Sequence, residues 1–231
     1  MAQAHCPLTP EQIDLMHWTA SLGAITAEAL ALRMGVTPAS ARGRLSVAVR
    51  RGLLARRRLL VDAPTLYTIT RAGLRACGGY GIDPCRLSPG GAHHAIVCAE
   101  VAAALERCYP DHRLVGEREL RRDERELGRP LASARLAADR MHHPDLVLWP
   151  DAAQELPVAV EVELTIKAPR RLAGICRAWA RCPKVSGVLY LAPDRVRRAL
   201  ERAIEKAHAQ ERVVVLPLEA LPSGGRVWGL G

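Results

Sequence analysis

The sequence contains no phenylalanine, and its aromatic residues amount to only 3%. A core of this composition has to be built from aliphatic side chains and alanine, with few aromatic anchors. Lysine is nearly absent as well: it supplies 3 of the 33 basic residues and arginine the other 30. No run of about 18 uncharged apolar residues occurs, which excludes a membrane-spanning helix. The N-terminus lacks a basic stretch followed by an apolar one, so no secretory signal is expected and the default location is the cytoplasm. The seven cysteines, at 6, 77, 85, 98, 108, 176 and 182, form no Cys-x-x-Cys pair and no zinc spacing. They are expected to be reduced, structural thiols.

What is present is an ordinary globular balance, 49% hydrophobic and 25% charged over 231 residues, enough for one or two domains. The net charge of +9 points to a polyanionic partner, most simply nucleic acid. A skew toward arginine and alanine has a bland origin in GC-rich coding, but that does not account for the excess of basic over acidic residues.

The clearest break is Cys77 to Gly91, where five glycines and two prolines in fifteen residues read as a linker. It separates an expected domain over residues 1–76 from a second over 92–231. Residues 1–90 carry 11 basic and 5 acidic side chains, net +6, and residues 91–231 carry 22 and 19, net +3, so the smaller piece is the more basic. A polar, poorly periodic stretch from Arg121 to Met141 reads as a mobile excursion inside the second domain.

In the first piece Thr9-Pro10-Glu11-Gln12 has the pattern of a capped helix start, continued by Ile13, Met16 and Ala20. A second helix is expected over about 26–34, stopped by Gly35. A third is capped by Thr37-Pro38, with Ala41, Leu45 and Ala48 inward. Two short strands, about 54–61 and 66–69, and a last short helix from Thr70 follow. Between residues 42 and 61 stand seven arginines (42, 44, 50, 51, 56, 57, 58) and no carboxylate. Three helices and a β-ribbon in this order resemble the winged helix-turn-helix regulators, and the run from Thr37 to Leu54 resembles their recognition helix and its exit. In that plan the outward face carrying Ser40, Arg42 and Gly43 would enter the major groove of double-stranded DNA, with Arg44 a further DNA-binding residue. The wing arginines Arg56, Arg57 and Arg58 would meet phosphates or the minor groove, and Arg50 and Arg51 are counted with the DNA-binding residues. The plainer reading is a solvated basic face, or a winged helix used for protein contacts.

In the second piece helices near 92–108, 169–181 and 193–209 alternate with strands near 113–120, 144–149, 157–167, 185–192 and 212–218. That alternation argues for a mixed α/β sheet with helices on both faces. Along 157–167, period-two alternation places Glu161, Glu163, Thr165 and Lys167 on one face and Val160, Val162, Leu164 and Ile166 on the other. Asp145 starts the preceding apolar strand. Carboxylates on neighbouring strands need a cation or a basic partner, and a divalent ion is one candidate. Pairing of Glu161 and Glu163 with Arg170, Arg171 or Arg177 is the other. His142 and His143 read as exposed loop residues or a metal pair, and the arginine side of the helix over 169–181 as a DNA contact or an ordinary solvated face.

The order Pro144-Asp145 … Glu161-x-Glu163 resembles the PD-(D/E)xK, restriction-endonuclease-like fold. With Thr70-Arg-Ala-Gly73, His93-His94, Gly116-Glu-Arg-Glu-Leu-Arg121 and Lys167, the chain from about 8 to 220 resembles the replication-relaxation family of plasmid and mobile-element proteins. The resemblance implies a winged helix joined to a nuclease-like α/β domain acting in DNA replication, relaxation or transfer. It implies replication or conjugation proteins as partners, and a homodimer is a further expectation. In an active member Asp145 and Glu161, with Glu100 as an added acid, would bind Mg²⁺ or Mn²⁺. Glu163 stands where the family usually has lysine, and Lys167, about 13 Å from Glu161 on an extended strand, replaces it only if the strand bends. A non-cutting DNA-binding protein, a metal-dependent endonuclease and a winged-helix transcriptional regulator all remain open at this point.

Overall fold

In a computed structural model, which describes residues 7–152 and 155–220, the chain divides into two units, Met1–Ala99 and Glu100–Gly231. The first begins with α1 (Pro10–Leu22), β1 (Ala24–Thr26), α2 (Ala27–Met34) and α3 (Pro38–Arg50). β2 (Leu54–Arg57), β3 (Leu66–Ile69), α4 (Arg71–Ala76) and the start of α5 (Pro89–Cys108) follow. Threonine caps set these helices. Thr9 and Gln12 form a reciprocal capping box, and the hydroxyls of Thr26, Thr37 and Thr70 accept from the N–H groups of Ala29, Ser40 and Gly73. The three strands pair antiparallel in the order β1-β3-β2. β1 had no expected counterpart, because a three-residue strand between two helices is too short for period-two alternation to register.

Met16, Ile25, Leu30, Ala41 and Leu45 form the centre of this unit, each at 0% exposure, and Ala48 is also buried. Ile13, expected on the inward stripe of α1, is instead exposed. At Gly73 an added Cβ would stand 2.3 Å from the Leu53 carbonyl oxygen. Close contact between α4 and the chain entering β2 therefore requires glycine there. The chain from Gly78 to Ser88 has no regular element, but the unit does not end at it. Ala92 and Ile96 of α5 are buried with Ala24 and Leu66, so the division falls within α5.

The second unit runs through β4 (Arg113–Gly116), α6 (Glu117–Leu127), β5 (Ala134–Ala137), β6 (Arg140–His142), β7 (Leu146–Trp149) and β8 (Val158–Val162). It continues with α7 (Pro169–Ala180), β9 (Gly187–Ala192), α8 (Asp194–Ala207) and β10 (Val213–Pro217). Five strands form one mixed sheet, ordered β10-β9-β8-β7-β4, with β8, β9 and β10 parallel and β4, β7 and β8 antiparallel. The molecule is thus of mixed α+β class. α7 and α8 cover one sheet face through Trp179, Cys176, Leu172, Leu200 and Val196, packed with Val147, Ala159, Val188 and Tyr190. Leu105 of α5 and Tyr109 lie beside Leu148, Val158, Val160 and Leu189 on the other. Among the described residues no helix is long and apolar enough to cross a membrane.

Two expectations are corrected here. The stretch from Arg121 to Met141 is ordered: the expected strand over 113–120 stops at Gly116, α6 follows, and a β5–β6 hairpin comes next. Its helicity is hard to read because Leu120 is its one buried apolar residue. Ion pairs Arg121–Glu117 (2.6 Å) and Arg122–Asp123 (2.6 Å) line its surface, and Gly128 in the left-handed region closes it. The strand expected over 157–167 ends at Val162. Beyond Glu163 the chain turns toward Pro169, and Ile166, expected to pack, is 61% exposed.

Candidate functional site

The bend after Val162 gathers the charged residues of the second unit. Asp145 precedes β7, and its Oδ2 accepts from the Val162 N–H at 2.8 Å. Glu161 points to the α7 side and is 5% exposed. Its Oε1 lies 2.5 Å from His142 Nε2 and accepts from Trp179 Nε1 at 3.1 Å. The His142 and Trp179 rings meet edge-on, with centroids 5.6 Å apart. Glu163, 4% exposed, is paired with Lys167, which the turn carries back to it. The lysine is thus brought to the carboxylates although the extended-strand geometry forbade it.

Electrostatics follow this burial. Removal from water pushes the Glu161 carboxyl above its ordinary value and the Asp145 charge adds to this, while the bond and charge of His142, and Lys167, oppose it. Burial disfavours the charged His142, but the bond and charge of Glu161 outweigh it and the imidazole is held above its usual value. Cys176, fully buried on α7, is pushed up to about 11 by burial and then by the Glu161 charge. Burial likewise raises the thiols of Cys77, Cys108 and Cys182. None of the six described cysteines is in a disulfide, and Cys6 lies outside the described residues.

Neither histidine is an exposed loop residue. His142 ends β6 against Glu161, and His143 Nε2 lies 3.2 Å from Glu124 Oε2. Nor do Glu161 and Glu163 pair with the next helix's arginines, since Arg170, Arg171 and Arg177 are exposed on its far side. Glu100 is exposed on α5, which packs on the sheet face opposite Glu161.

The donor set does not fit the expected Mg²⁺ or Mn²⁺. Such an ion wants carboxylate oxygens that face water and share it. Here Glu161 lies between an imidazole and an indole N–H, Glu163 against an ammonium, and Asp145 on a backbone amide. A cation would have to displace Lys167 and part the Glu161 bonds.

Glu124 was not among the candidate residues. Its Oε1 accepts from the N–H groups of Leu131 (2.8 Å), Ala132 (3.1 Å) and Ser133 (3.2 Å), and its Oε2 from the Ser133 hydroxyl (2.8 Å). Burial alone would raise this carboxyl, yet the bonds from His143, Leu131, Ser133 and Ala132 hold it at about 2.

In the first unit most of the residues expected to meet DNA lie on solvent. Ser40, Arg42, Arg44, Arg50, Arg56, Arg57 and Arg58 are exposed, whereas Ala41, Leu45 and Ala48 are buried. Arg42 and Arg44 are separated by about 200° around the helix, so they flank the outward row rather than share it. That row is Ala39, Gly43, Ser46 and Arg50, of which Ala39 and Ser46 were not anticipated. Arg51 departs from the expected set: it is half-buried, and its Nη1 donates to Gln12 Oε1 of α1 at 2.8 Å. Gly43 sits mid-helix where an added Cβ would meet nothing within 4 Å. Packing gives no reason for it, and Gly43→Ala is expected to raise stability by about 0.5–1 kcal/mol, read by urea denaturation.

Neither a protein-family model nor a curated protein matches the sequence. Among solved structures the chain is similar to one described as "Crystal structure of protein VC1899 from Vibrio cholerae", at 10% sequence identity and a TM-score of 0.34. The alignment covers 94% of this chain and 55% of that one, so the chain spans about half the length of that structure.

Proposed function

We propose that the chain is a double-stranded-DNA-binding protein in which the first unit, of the winged-helix kind, grips the duplex, and a PD-(D/E)xK-like second unit binds without cutting. The observation that carries this reading is the exposed arginine face of α3 and β2, with Arg42, Arg44, Arg50, Arg56, Arg57 and Arg58 on solvent above a buried Ala41–Leu45–Ala48 stripe. A helix fixed by such a stripe presents its opposite row to a major groove, and arginines beside it meet phosphates. Support for the nuclease-like plan comes from Asp145, just before β7, and Glu161 on the adjacent antiparallel β8, with helices on both faces of the mixed sheet. The non-cutting reading is supported by carboxylates that are matched internally by His142, Trp179 and Lys167. The setting implied by the family resemblance is replication, relaxation or transfer of plasmid or mobile-element DNA.

The test is incubation of supercoiled plasmid with the protein in Mg²⁺, in Mn²⁺ and in chelator, beside an Asp145→Asn/Glu161→Gln variant. The expected result is plasmid retarded in the gel but unbroken, for wild type and variant alike. Metal-dependent nicks that disappear in the variant would establish an endonuclease instead. Absence of retardation would overturn DNA binding itself, and a footprint with a two-fold repeat would favour a transcriptional regulator.

A further inference from the structure

We infer that the outer face of α7 is a second DNA-backbone contact, distinct from α3 and the wing; the inference rests on the DNA-binding reading above. Between Glu163 and Asp194 the chain carries six basic side chains (Lys167, Arg170, Arg171, Arg177, Arg181 and Lys184) and no acidic one. The other surface helices of this unit are different. On α6, Arg121 and Arg122 are paired with Glu117, Glu119 and Asp123, and on α8, Arg197 lies by Asp194 and Glu201. Each of these arginines has a carboxylate within a turn of itself, whereas α7 carries no carboxylate at all.

The geometry turns this excess into a surface. Arg170, Gly174, Arg177 and Arg181 recur at helical spacing and form one row about 16 Å long, with Arg171 beside it. All four arginines are exposed. The helix cannot roll them away, because Leu172, Ile175, Cys176 and Trp179 on its other side are buried in the core. Its N-terminus has no side-chain cap, which leaves the positive end of the helix next to Arg170 and Arg171. Lys167 is held by Glu163 and is not part of the row.

Gly174 stands in the middle of the row, and a Cβ added there would meet nothing within 4 Å. Glycine in a helix interior costs about 1 kcal/mol relative to alanine, and packing gives nothing in return. What it provides is a bare strip of backbone flanked by guanidinium groups. Such a strip admits close approach by a rod of regularly spaced negative charge. The phosphodiester backbone is that rod, with one charge per roughly 3.4 Å of axis along each strand, and arginine meets phosphate through paired N–H donors.

The experiment titrates a fluorescein-labelled, mixed-sequence DNA duplex with the full chain at several KCl concentrations. Three proteins are compared: wild type, the Arg170→Gln/Arg171→Gln/Arg177→Gln/Arg181→Gln variant, and Gly174→Glu. Three phosphate contacts at about 0.9 each make the expected loss in the slope of log K against log[KCl] about 2.7 for the quadruple variant. At about 0.15 M salt that corresponds to an affinity about a hundredfold lower. Gly174→Glu should weaken binding in the same sense, and because glutamate is the better helix former, loss of the fold does not explain it. Wild-type slope and affinity in both variants would overturn the inference and leave the α3 reading standing. Lower affinity at an unchanged slope would also overturn it, since the lost contacts would not be to phosphates. Failure of the wild type to bind duplex at any salt would overturn both.

Discussion

Replacing Arg42, Arg44, Arg50, Arg56, Arg57 and Arg58 together by glutamine is expected to lower affinity for duplex DNA about a thousandfold at about 0.15 M salt. Four phosphate contacts among the six, each contributing about 0.9 to the salt slope, give this magnitude. The same variant should flatten log K against log[salt] by about 3.6, measured by anisotropy at several KCl concentrations. All six side chains are exposed, so the fold has little reason to respond. Arg51 stays in place because its bond to Gln12 ties α3 to α1. A loss below tenfold, in a variant that unfolds like wild type, would sink the proposal that this face grips DNA.

Glu124→Ala is expected to destabilise the second unit by about 3–5 kcal/mol, read by urea denaturation. The deletion leaves backbone N–H groups of Leu131, Ala132 and Ser133 and the Ser133 hydroxyl without their acceptor. A buried donor so orphaned costs about 1–3 kcal/mol, and the space left by the side chain lets water reach some of the four, beginning with the part-buried Leu131 N–H. A pH dependence accompanies this. The Glu124 carboxyl has an ordinary value of 4.5 and is held at about 2 in the fold, so its contribution is present above pH 4.5 and is lost as pH falls toward 2. By linkage that contribution is about 3 kcal/mol. The side chain is only 9% exposed, so little screening reduces it. Glu124→Gln should remove this acid-side loss; an unchanged acid profile would show that another carboxylate is responsible.

How much of this could be read beforehand differs by element. Helices with a cap and an apolar stripe were legible: α3 from Thr37-Pro38 with Ala41, Leu45 and Ala48, and α8 from Val196, Leu200, Ile204 and Ala207. α6 was not, since charge pairs and one leucine sustain it, and polar residues with a weak stripe look the same as a loop. The alternation through Lys167 was real in the sequence but ran past the point where the chain leaves the sheet, since Glu163 makes a last N–H bond to the Leu191 carbonyl of β9 at 3.0 Å. The last paired residue is Val162 opposite Leu191, and after it the pattern no longer meant a strand. Asp145, Glu161 and Glu163 were singled out in the sequence and Glu124 was not, and the partners of all four were hidden. His142 reaches Glu161 through the β5–β6 hairpin and Trp179 through α7, contacts separated by 19 and 18 residues. One clue was available for Trp179: it shares a helical stripe with Leu172 and Cys176, and the helix after β8 packs over the face where Glu161 points.

The thiol of Cys176 lends α7 a use as a clock. It has no solvent exposure, and at about 11 it is almost wholly protonated near neutrality, so a thiol reagent finds neither access nor thiolate while the helix is seated. Modification therefore waits for α7 to lift from β8 and β9, and its rate counts those departures. Because Trp179 lies one turn further along the same helix, each departure also frees the indole from Glu161. Chemical labelling and indole emission thus keep time on the same event, one by accumulated product and the other by the instantaneous population.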